Sequence, residues 1–342
     1  MSQADVKAVL GRIAAGKPFD EHEMAAAIDL FTSGSATPTQ MGAFLMGLRV
    51  RGETAGEITG ASRALRARMV KVEAPEGAVD IVGTGGDELG TYNVSTAASL
   101  VAAGAGLKVA KHGNRSVSSL SGASDVLAAL GVKLDVSPDV VARAIREAGV
   151  GFMWAPMHHP AMKAWAPIRS DLGQRTIFNL LGPISNPAGV RRQVVGVFAS
   201  QWVEPIAEAL RALGSVHAWV VHGAGGLDEL STTGPSKVAE LHEGNITVFE
   251  VAPEDAGLPR ARIADLKGGD ASVNAAAIRE LLAGAKGAFR DIVLMNAAAA
   301  LVVGGKAGSL EDGVERAARA IDTGAAGEAL ARLVAITNAP AA

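Results

Sequence analysis

From residue 79 onward, short apolar runs rich in branched side chains alternate with helix-like stretches, and this alternation restricts the fold more than any other feature. Strand-like segments fall at 79–82, 107–110, 150–155, 193–198 and 217–222. Between them the spacing predicts helices over 95–104, 122–130, 138–148 and 203–213. Strands joined through helices run parallel, with the helices covering the sheet, so the pattern specifies an α/β architecture around a mainly parallel sheet. Residues 237–251, turning at Glu243-Gly-Asn245, read as a β-hairpin, and the chain from about 273 reads as helical.

Residues 1 to about 70 carry helical signals instead. Thr37-Pro-Thr-Gln40 is a helix start, and Thr54-Ala-Gly-Glu57 has the form of a capping box. Pro75-Glu-Gly77 ends that region. The strand pattern lapses again between roughly 158 and 190, where Pro160, Pro167, Pro183 and Pro187 punctuate short helical pieces. These pieces are expected to rejoin the N-terminal helices. The reading is therefore a helical domain of 1–72 joined by about 158–190, and an α/β domain of 73–157 and 191–342.

Bulk properties exclude several classes. Apolar residues make up 49 % and charged residues 20 % of 342, the balance of a globular protein. Aromatics are only 4 % against 41 glycines, so close backbone packing is expected in place of bulky aromatic cores. The absence of cysteine rules out disulfides and thiolate chemistry and fits a cytoplasmic setting. A net charge of −3 argues against general adhesion to nucleic acid. The longest apolar run, 292–304, contains Asn296 and is too short to span a bilayer; the first ten residues lack the apolar core of a signal peptide. No membrane association is expected.

Two stretches carry the chemistry. Gly83-Thr-Gly-Gly-Asp87, running on to Asn93-Val-Ser-Thr96, is a glycine turn between a strand and a helix. Lys111-His-Gly-Asn-Arg-Ser-Val-Ser-Ser119 follows the next strand and combines glycine, cations, an amide and hydroxyls. Glycines let backbone N–H groups approach an anion, and a helix N-terminus adds partial positive charge. Lys111 and Arg115 are expected to add full charges from their loop. The turn lacks the third glycine of a dinucleotide fingerprint, since position 88 is Glu, and no P-loop sequence exists in the chain. Asn93, Ser95 and Thr96 also suit a helix cap. Taken together, the two loops read as a pocket for a substrate carrying several phosphates.

Asp228-Glu229 follows the strand 217–222 and a glycine loop, at the same sheet edge. Adjacent acids are commonly just a solvated surface, but hard divalent cations want carboxylate oxygens beside substrate phosphates, so a Mg²⁺ site is expected there with Ser95 as a hydroxyl ligand. His158-His159 lacks further ligands at metal spacing and reads as structural. Arg169 is either a surface arginine or a guanidinium clamp for a substrate carboxylate. The Met41–Met46 stripe reads as core or subunit interface.

With these residues in place, the chain resembles the anthranilate phosphoribosyltransferase family, of the nucleoside phosphorylase-like (class III phosphoribosyltransferase) fold. The resemblance runs nearly end to end. It rests on the two loops above with Thr91 and Ser121-Gly122, on Arg169, on Arg175-Thr-Ile-Phe-Asn-Leu-Leu-Gly-Pro183, and on Gly226-Leu-Asp-Glu-Leu-Ser-Thr-Thr-Gly234. It implies a small all-helical N-terminal domain beside a larger α/β domain, and a homodimer formed through the helical part. It implies that 5-phosphoribosyl-1-pyrophosphate is held by Gly83, Gly86, Asp87, Thr91, Asn93, Val94, Ser95 and Thr96. From the second loop, Lys111, His112, Gly113, Asn114, Arg115, Ser116, Val117, Ser118, Ser119 and Ala123 join them. Anthranilate falls to Gly83, His112, Asn114 and Arg169, and two Mg²⁺ ions per subunit to Ser95, Asp228 and Glu229. Glu88, Ser124 and Ala128 depart from the family's usual residues.

The implied reaction joins the anthranilate amine to ribose C1 and expels pyrophosphate, a step of tryptophan biosynthesis. An aromatic amine is neutral at pH 7, so no residue is assigned as general acid or base. Two rival readings are a pyrimidine nucleoside phosphorylase-like enzyme, which the Asn114-Arg115 and Asp228-Glu229 pairs fit poorly, and a non-catalytic nucleic-acid-binding homologue, against which a pI of about 6.2 speaks.

Overall fold

The computed structural model describes residues 3–86, 89–115 and 120–340. Four helices open the chain: α1 (Gln3–Ala14), α2 (Glu21–Thr32), α3 (Pro38–Arg51) and α4 (Ala55–Arg68). Asp20, Thr37 and Thr54 each cap a helix through a reciprocal capping box, with Glu23, Gln40 and Glu57 as the returning side chains. Glu57 does more than cap. Fully buried, it accepts N–H bonds from Phe19 and Thr54 at 2.9 Å each, and it pairs with Arg51, locking α3 to α4.

Seven strands follow: β1 (Val79–Gly83), β2 (Val109–Gly113), β3 (Val150–Trp154), β4 (Arg192–Gly196), β5 (His217–His222), β6 (Ser236–His242) and β7 (Asn245–Val251). They form one sheet in the order β3-β2-β1-β4-β5-β6-β7. The first five are parallel; β6 and β7 are antiparallel. The β6–β7 hairpin turns on Glu243 and Gly244, both at positive φ (50° and 84°), the geometry a two-residue turn needs to match strand twist. The chain steps outward from β1 to β3, then returns to lay β4 against the other side of β1. That reversal creates a crevice above the C-terminal ends of β1 and β4.

The second strand departs from the sequence expectation of 107–110. It runs over 109–113, in register with β3, so Lys111 and His112 sit inside the sheet and not in the loop. The ladder extends past the apolar run because both polar side chains find partners within the fold, described below.

The remaining helices are α5 (Val94–Gly104), α6 (Ala123–Ala129), α7 (Pro138–Glu147), α8 (Ala155–His158), α9 (Ala166–Leu172), α10 (Phe178–Leu181), α11 (Val203–Ala212), α12 (Ala271–Leu282), α13 (Ala288–Val303), α14 (Leu310–Asp322) and α15 (Ala325–Asn338). One sheet face, with Val79, Ile81, Val109, Val194 and Trp219, packs against α5 and α13. Four consecutive buried alanines, 297–300, let α13 lie close to its neighbours. On the opposite face Val82, Val195, Ala218 and Val220 share a core with α11, with α2–α4 and with residues of the 158–190 segment. Trp165 packs there against Phe31, Phe44 and Phe178, and its indole N–H donates to Thr32 Oγ1 at 3.0 Å. No helix among the described residues is long and apolar enough to cross a membrane.

Candidate active site

Three glycines stand at the strand ends that border the crevice. Gly83 and Gly196 face each other in register at the ends of β1 and β4, and Gly223 follows β5. A Cβ on Gly196 would lie 1.6 Å from the Asp228 carbonyl oxygen, and one on Gly223 would lie 2.3 Å from that of Glu229. A Cβ on Gly83 would lie 2.2 Å from Asp228 Oδ2. Only hydrogen fits at these positions, and the notch they leave holds the Asp228-Glu229 segment. Next along the chain, Leu230 is clamped by Asn296 of α13, which accepts from its N–H and donates to its carbonyl at 2.9 Å each.

Within this notch the acids take up backbone donors. Gly85 N–H donates to Asp228 Oδ2 at 2.6 Å, and Ser95 N–H, at the start of α5, donates to Glu229 Oε1 at 3.2 Å. Ser95 was expected from the sequence to face the phosphoribosyl donor, and Gly85 belongs to the glycine turn read as anion-friendly; in the structure both N–H groups fix the carboxylates. Two acids therefore lie between a glycine turn and a helix N-terminus, both of which favour negative charge. Hard oxygen donors with a neighbouring hydroxyl at Ser95 suit Mg²⁺, so the residues present fit the expected metal.

Thr84 pins the turn, its N–H on Gly196 O at 2.9 Å and its hydroxyl accepting from Phe198 N–H at 3.0 Å. Gly86 lies under Arg175, whose guanidinium donates to the Gly86 carbonyl and packs over the Phe198 ring at 4.7 Å. Arg175 was legible only as part of its motif and was given no role.

Asn93 heads α5 but makes no side-chain cap bond. Its Oδ1 accepts from Asn274 Nδ2 at 2.8 Å and from Ser121 Oγ at 3.3 Å, tying the start of α5 to the far end of the second loop and to α12. Asn274 was missed because it lies 181 residues from Asn93. Thr91 bridges to Lys267, and Val94 buries its side chain in the core while its N–H bonds the Tyr92 carbonyl. Ser95 is half-buried; Thr96 is buried, its hydroxyl without a partner among the described residues.

Lys111 is 3 % exposed, and its Nζ donates to the Ile81 carbonyl at 2.6 Å. Burial pushes its pKa down, while Asp80, Glu229 and Asp228 push it up. It is thus a buried counter-charge beneath the acids, correcting its reading as a loop cation. Asp80, also buried, accepts from His112 N–H at 3.1 Å and Asn186 Nδ2 at 2.7 Å. Burial outweighs Lys111 and lifts its carboxyl to about 6. The His112 ring has both nitrogens engaged, Nδ1 with the Gly182 carbonyl at 3.1 Å and Nε2 with His159 Nε2 at 3.2 Å. Burial, reinforced by the neighbouring imidazoles, drives its pKa well down. His158 binds the Val70 carbonyl through Nδ1 at 2.9 Å, so this histidine pair is structural, as the sequence suggested.

Asn114 and Arg115 are exposed beyond β2, with Arg115 Nε 3.5 Å from Asp125. Gly113 and Ala123 approach each other closely, a Cβ on the glycine standing 3.4 Å from that of Ala123. Arg169, on α9, lies over the Phe178 ring at 5.6 Å, and burial lowers its pKa. Its guanidinium has no carboxylate partner among the described residues. Asp87, Glu88, Ser116, Val117, Ser118 and Ser119 lie outside the described residues.

The two parts of the chain match two models of one family. Residues 75–327 match the a/b domain of the glycosyl transferase family, and residues 7–69 match its helical bundle domain. The anthranilate phosphoribosyltransferase of Parvibaculum lavamentivorans is 62 % identical over 334 residues, covering 98 % of both chains. The crystal structure of that enzyme from Thermus thermophilus superposes with a TM-score of 0.92 at 42 % identity, covering 97 % of this chain and 99 % of the other. The Saccharomyces cerevisiae enzyme, in complex with PRPP and Mg, gives 0.90 at 28 % identity over 98 % of each chain. The chain belongs to the anthranilate phosphoribosyltransferase family.

Proposed function

We propose that this enzyme transfers the phosphoribosyl group of 5-phosphoribosyl-1-pyrophosphate to the amine of anthranilate, giving N-(5-phosphoribosyl)anthranilate and pyrophosphate. The observation that carries the reading is the pair Asp228-Glu229, laid in a glycine notch at the sheet's reversal point between the β1 turn and the α5 N-terminus. The relatives' names and the yeast complex with PRPP and Mg support it. The yeast enzyme is also known in complex with 4-fluoroanthranilate.

Asp228, Glu229 and Ser95 would hold Mg²⁺, two ions per subunit. When bound, the metal would supply positive charge that offsets the charge developing on the departing pyrophosphate. The turn at Gly83–Gly86 and the loop that follows β2, residues 114–119, hold the donor, with Lys111 as a buried counter-charge below them. Arg169, with no carboxylate partner among the described residues, receives that of anthranilate, and Gly83 and Asn114 complete the acceptor side; His112 braces its floor through His159. The amine nitrogen bonds to ribose C1 as the bond from C1 to the pyrophosphate oxygen breaks. The amine's proton passes to solvent or product, since an aniline-type nitrogen needs no prior deprotonation. Positioning and charge complementarity then supply the rate enhancement.

The helical part, 1–72 with about 158–190, carries the acceptor side and a homodimer contact, and the enzyme works in the cytoplasm. Anthranilate fluorescence tests the reading directly. Its loss on mixing enzyme with the phosphoribosyl donor and Mg²⁺, and its persistence when any one component is omitted, is the expected result. Unchanged fluorescence in the complete mixture would overturn it.

A further inference from the structure

Away from this crevice, the antiparallel end of the sheet carries a second group of ligand-type side chains. On β6, Glu240 and His242 are two residues apart and share a face. On β5, His217 pairs directly opposite His242, and Trp219 opposite Glu240. The His217 and His242 rings stack with centroids 4.3 Å apart, and His217 Nε2 lies 2.8 Å from Glu240 Oε1. One ligand atom from each of the three falls within 4.8 Å of the others.

We propose that His217, Glu240 and His242 form a site for a late first-row divalent cation of the zinc class. Two imidazoles and one carboxylate select such ions over Mg²⁺, which wants oxygen alone. Tetrahedral zinc with bonds of about 2.0–2.1 Å needs its ligand atoms roughly 3.3 Å apart. His217 is buried, Glu240 partly exposed and His242 exposed, so closing from within 4.8 Å to that spacing falls to rotation of the two more exposed side chains. The Trp219 indole N–H donates to Glu240 Oε1 at 2.9 Å and orients the carboxylate, as outer partners do in metal centres.

The surroundings are compatible. His217 Nε2 faces the Glu240 carboxylate, an acceptor, so in the metal-free chain that nitrogen carries the proton and a bound cation would take its place between the two side chains. Arg192, the nearest cation on the adjoining strand, has its Nη1 committed to the Val303 carbonyl. His217 and His242 line a cavity of about 950 Å³, into which a fourth ligand, water or an anion, can enter. A simple hydrogen-bonded surface cluster is the competing explanation, and it requires no metal.

The test uses the full chain, stripped with chelator and kept in excess Mg²⁺ so that oxygen-rich sites are filled. Co²⁺ is titrated by its visible absorption and displaced with Zn²⁺, for wild type and for His242→Ala and Glu240→Gln. The expected result is one high-affinity equivalent in wild type, weakened tenfold or more in both variants, with phosphoribosyl transfer unchanged in His242→Ala. No binding by wild type, or equal stoichiometry and affinity in His242→Ala, overturns the proposal. The outcome is independent of the transferase reading, because the readout is metal binding and not turnover.

Discussion

Gly196→Ala isolates the notch that holds the two acids. Gly196 has no positive φ, so the backbone accepts alanine and the cost is steric alone. The added methyl would meet Asp228 O at 1.6 Å, its carbonyl carbon at 2.3 Å and Cα at 3.2 Å, all main-chain atoms that no rotamer change can move. Reaching ordinary contact at 3.4 Å needs a retreat of about 2 Å, but Asn296 holds Leu230 from the other side. Overpacking of this kind costs about 1–3 kcal/mol. Misplacing a catalytic group by about 1 Å costs roughly a hundredfold in rate. The variant should therefore melt a few degrees lower, yet lose at least about a hundredfold in kcat with a raised Mg²⁺ requirement. Gly83→Ala, which meets chiefly the Asp228 side chain, should melt closer to wild type while also losing activity. Fluorescence rates across a Mg²⁺ titration, alongside thermal melts by circular dichroism, give both quantities. Gly196→Ala with kcat within threefold of wild type and an unchanged Mg²⁺ curve would refute the reasoning.

Asp228→Asn combined with Glu229→Gln should lower kcat and shift the Mg²⁺ dependence; unchanged metal dependence removes the pair from the site. Arg169→Ala should raise KM for anthranilate with little effect on KM for the donor, and the reverse pattern would contradict the carboxylate role. The histidine pair gives a stability prediction. Burial and His158 lower His159 from 6.5 to about 4, so the unfolded chain binds more protons in that window and stability rises with pH across it. At about 1.4 kcal/mol per pH unit this amounts to roughly 3 kcal/mol. Asp80, lifted from 3.8 to about 6, contributes the opposite slope over nearly the same range, so wild type should show little net dependence from the two. His159→Gln removes the rising component: its melting temperature should fall further behind wild type as pH climbs from 4 to 6.5. A pH-independent gap would contradict the assignment.

The alternation of strands and helices was readable because each apolar run and its punctuation are local. The Thr54–Glu57 capping box and the hairpin turn were readable for the same reason. The second strand was misplaced because its continuation contains Lys111 and His112, whose partners Ile81, Gly182 and His159 come from distant segments. Asn93 looked like a cap because cap residues and network residues share one chemistry; Ser121 and Asn274 decide which it is. The acids of the candidate site were legible from their place after β5. The glycine at 196 and the Asn296 clamp were not, since nothing local distinguishes a glycine that makes room from one that merely turns.

The central claim is that the glycine notch presents Asp228 and Glu229 to a metal-bound phosphoribosyl donor. Crystals of the full chain soaked with 5-phosphoribosyl-1-pyrophosphate and Mn²⁺ in place of Mg²⁺ test it most directly, through the anomalous signal of the donor-bound ion. The account predicts that signal within bonding distance of the Asp228 and Glu229 carboxylates, with the diphosphate over the turn at Gly83–Gly86. A donor lodged elsewhere, with its metal remote from both acids, would contradict it.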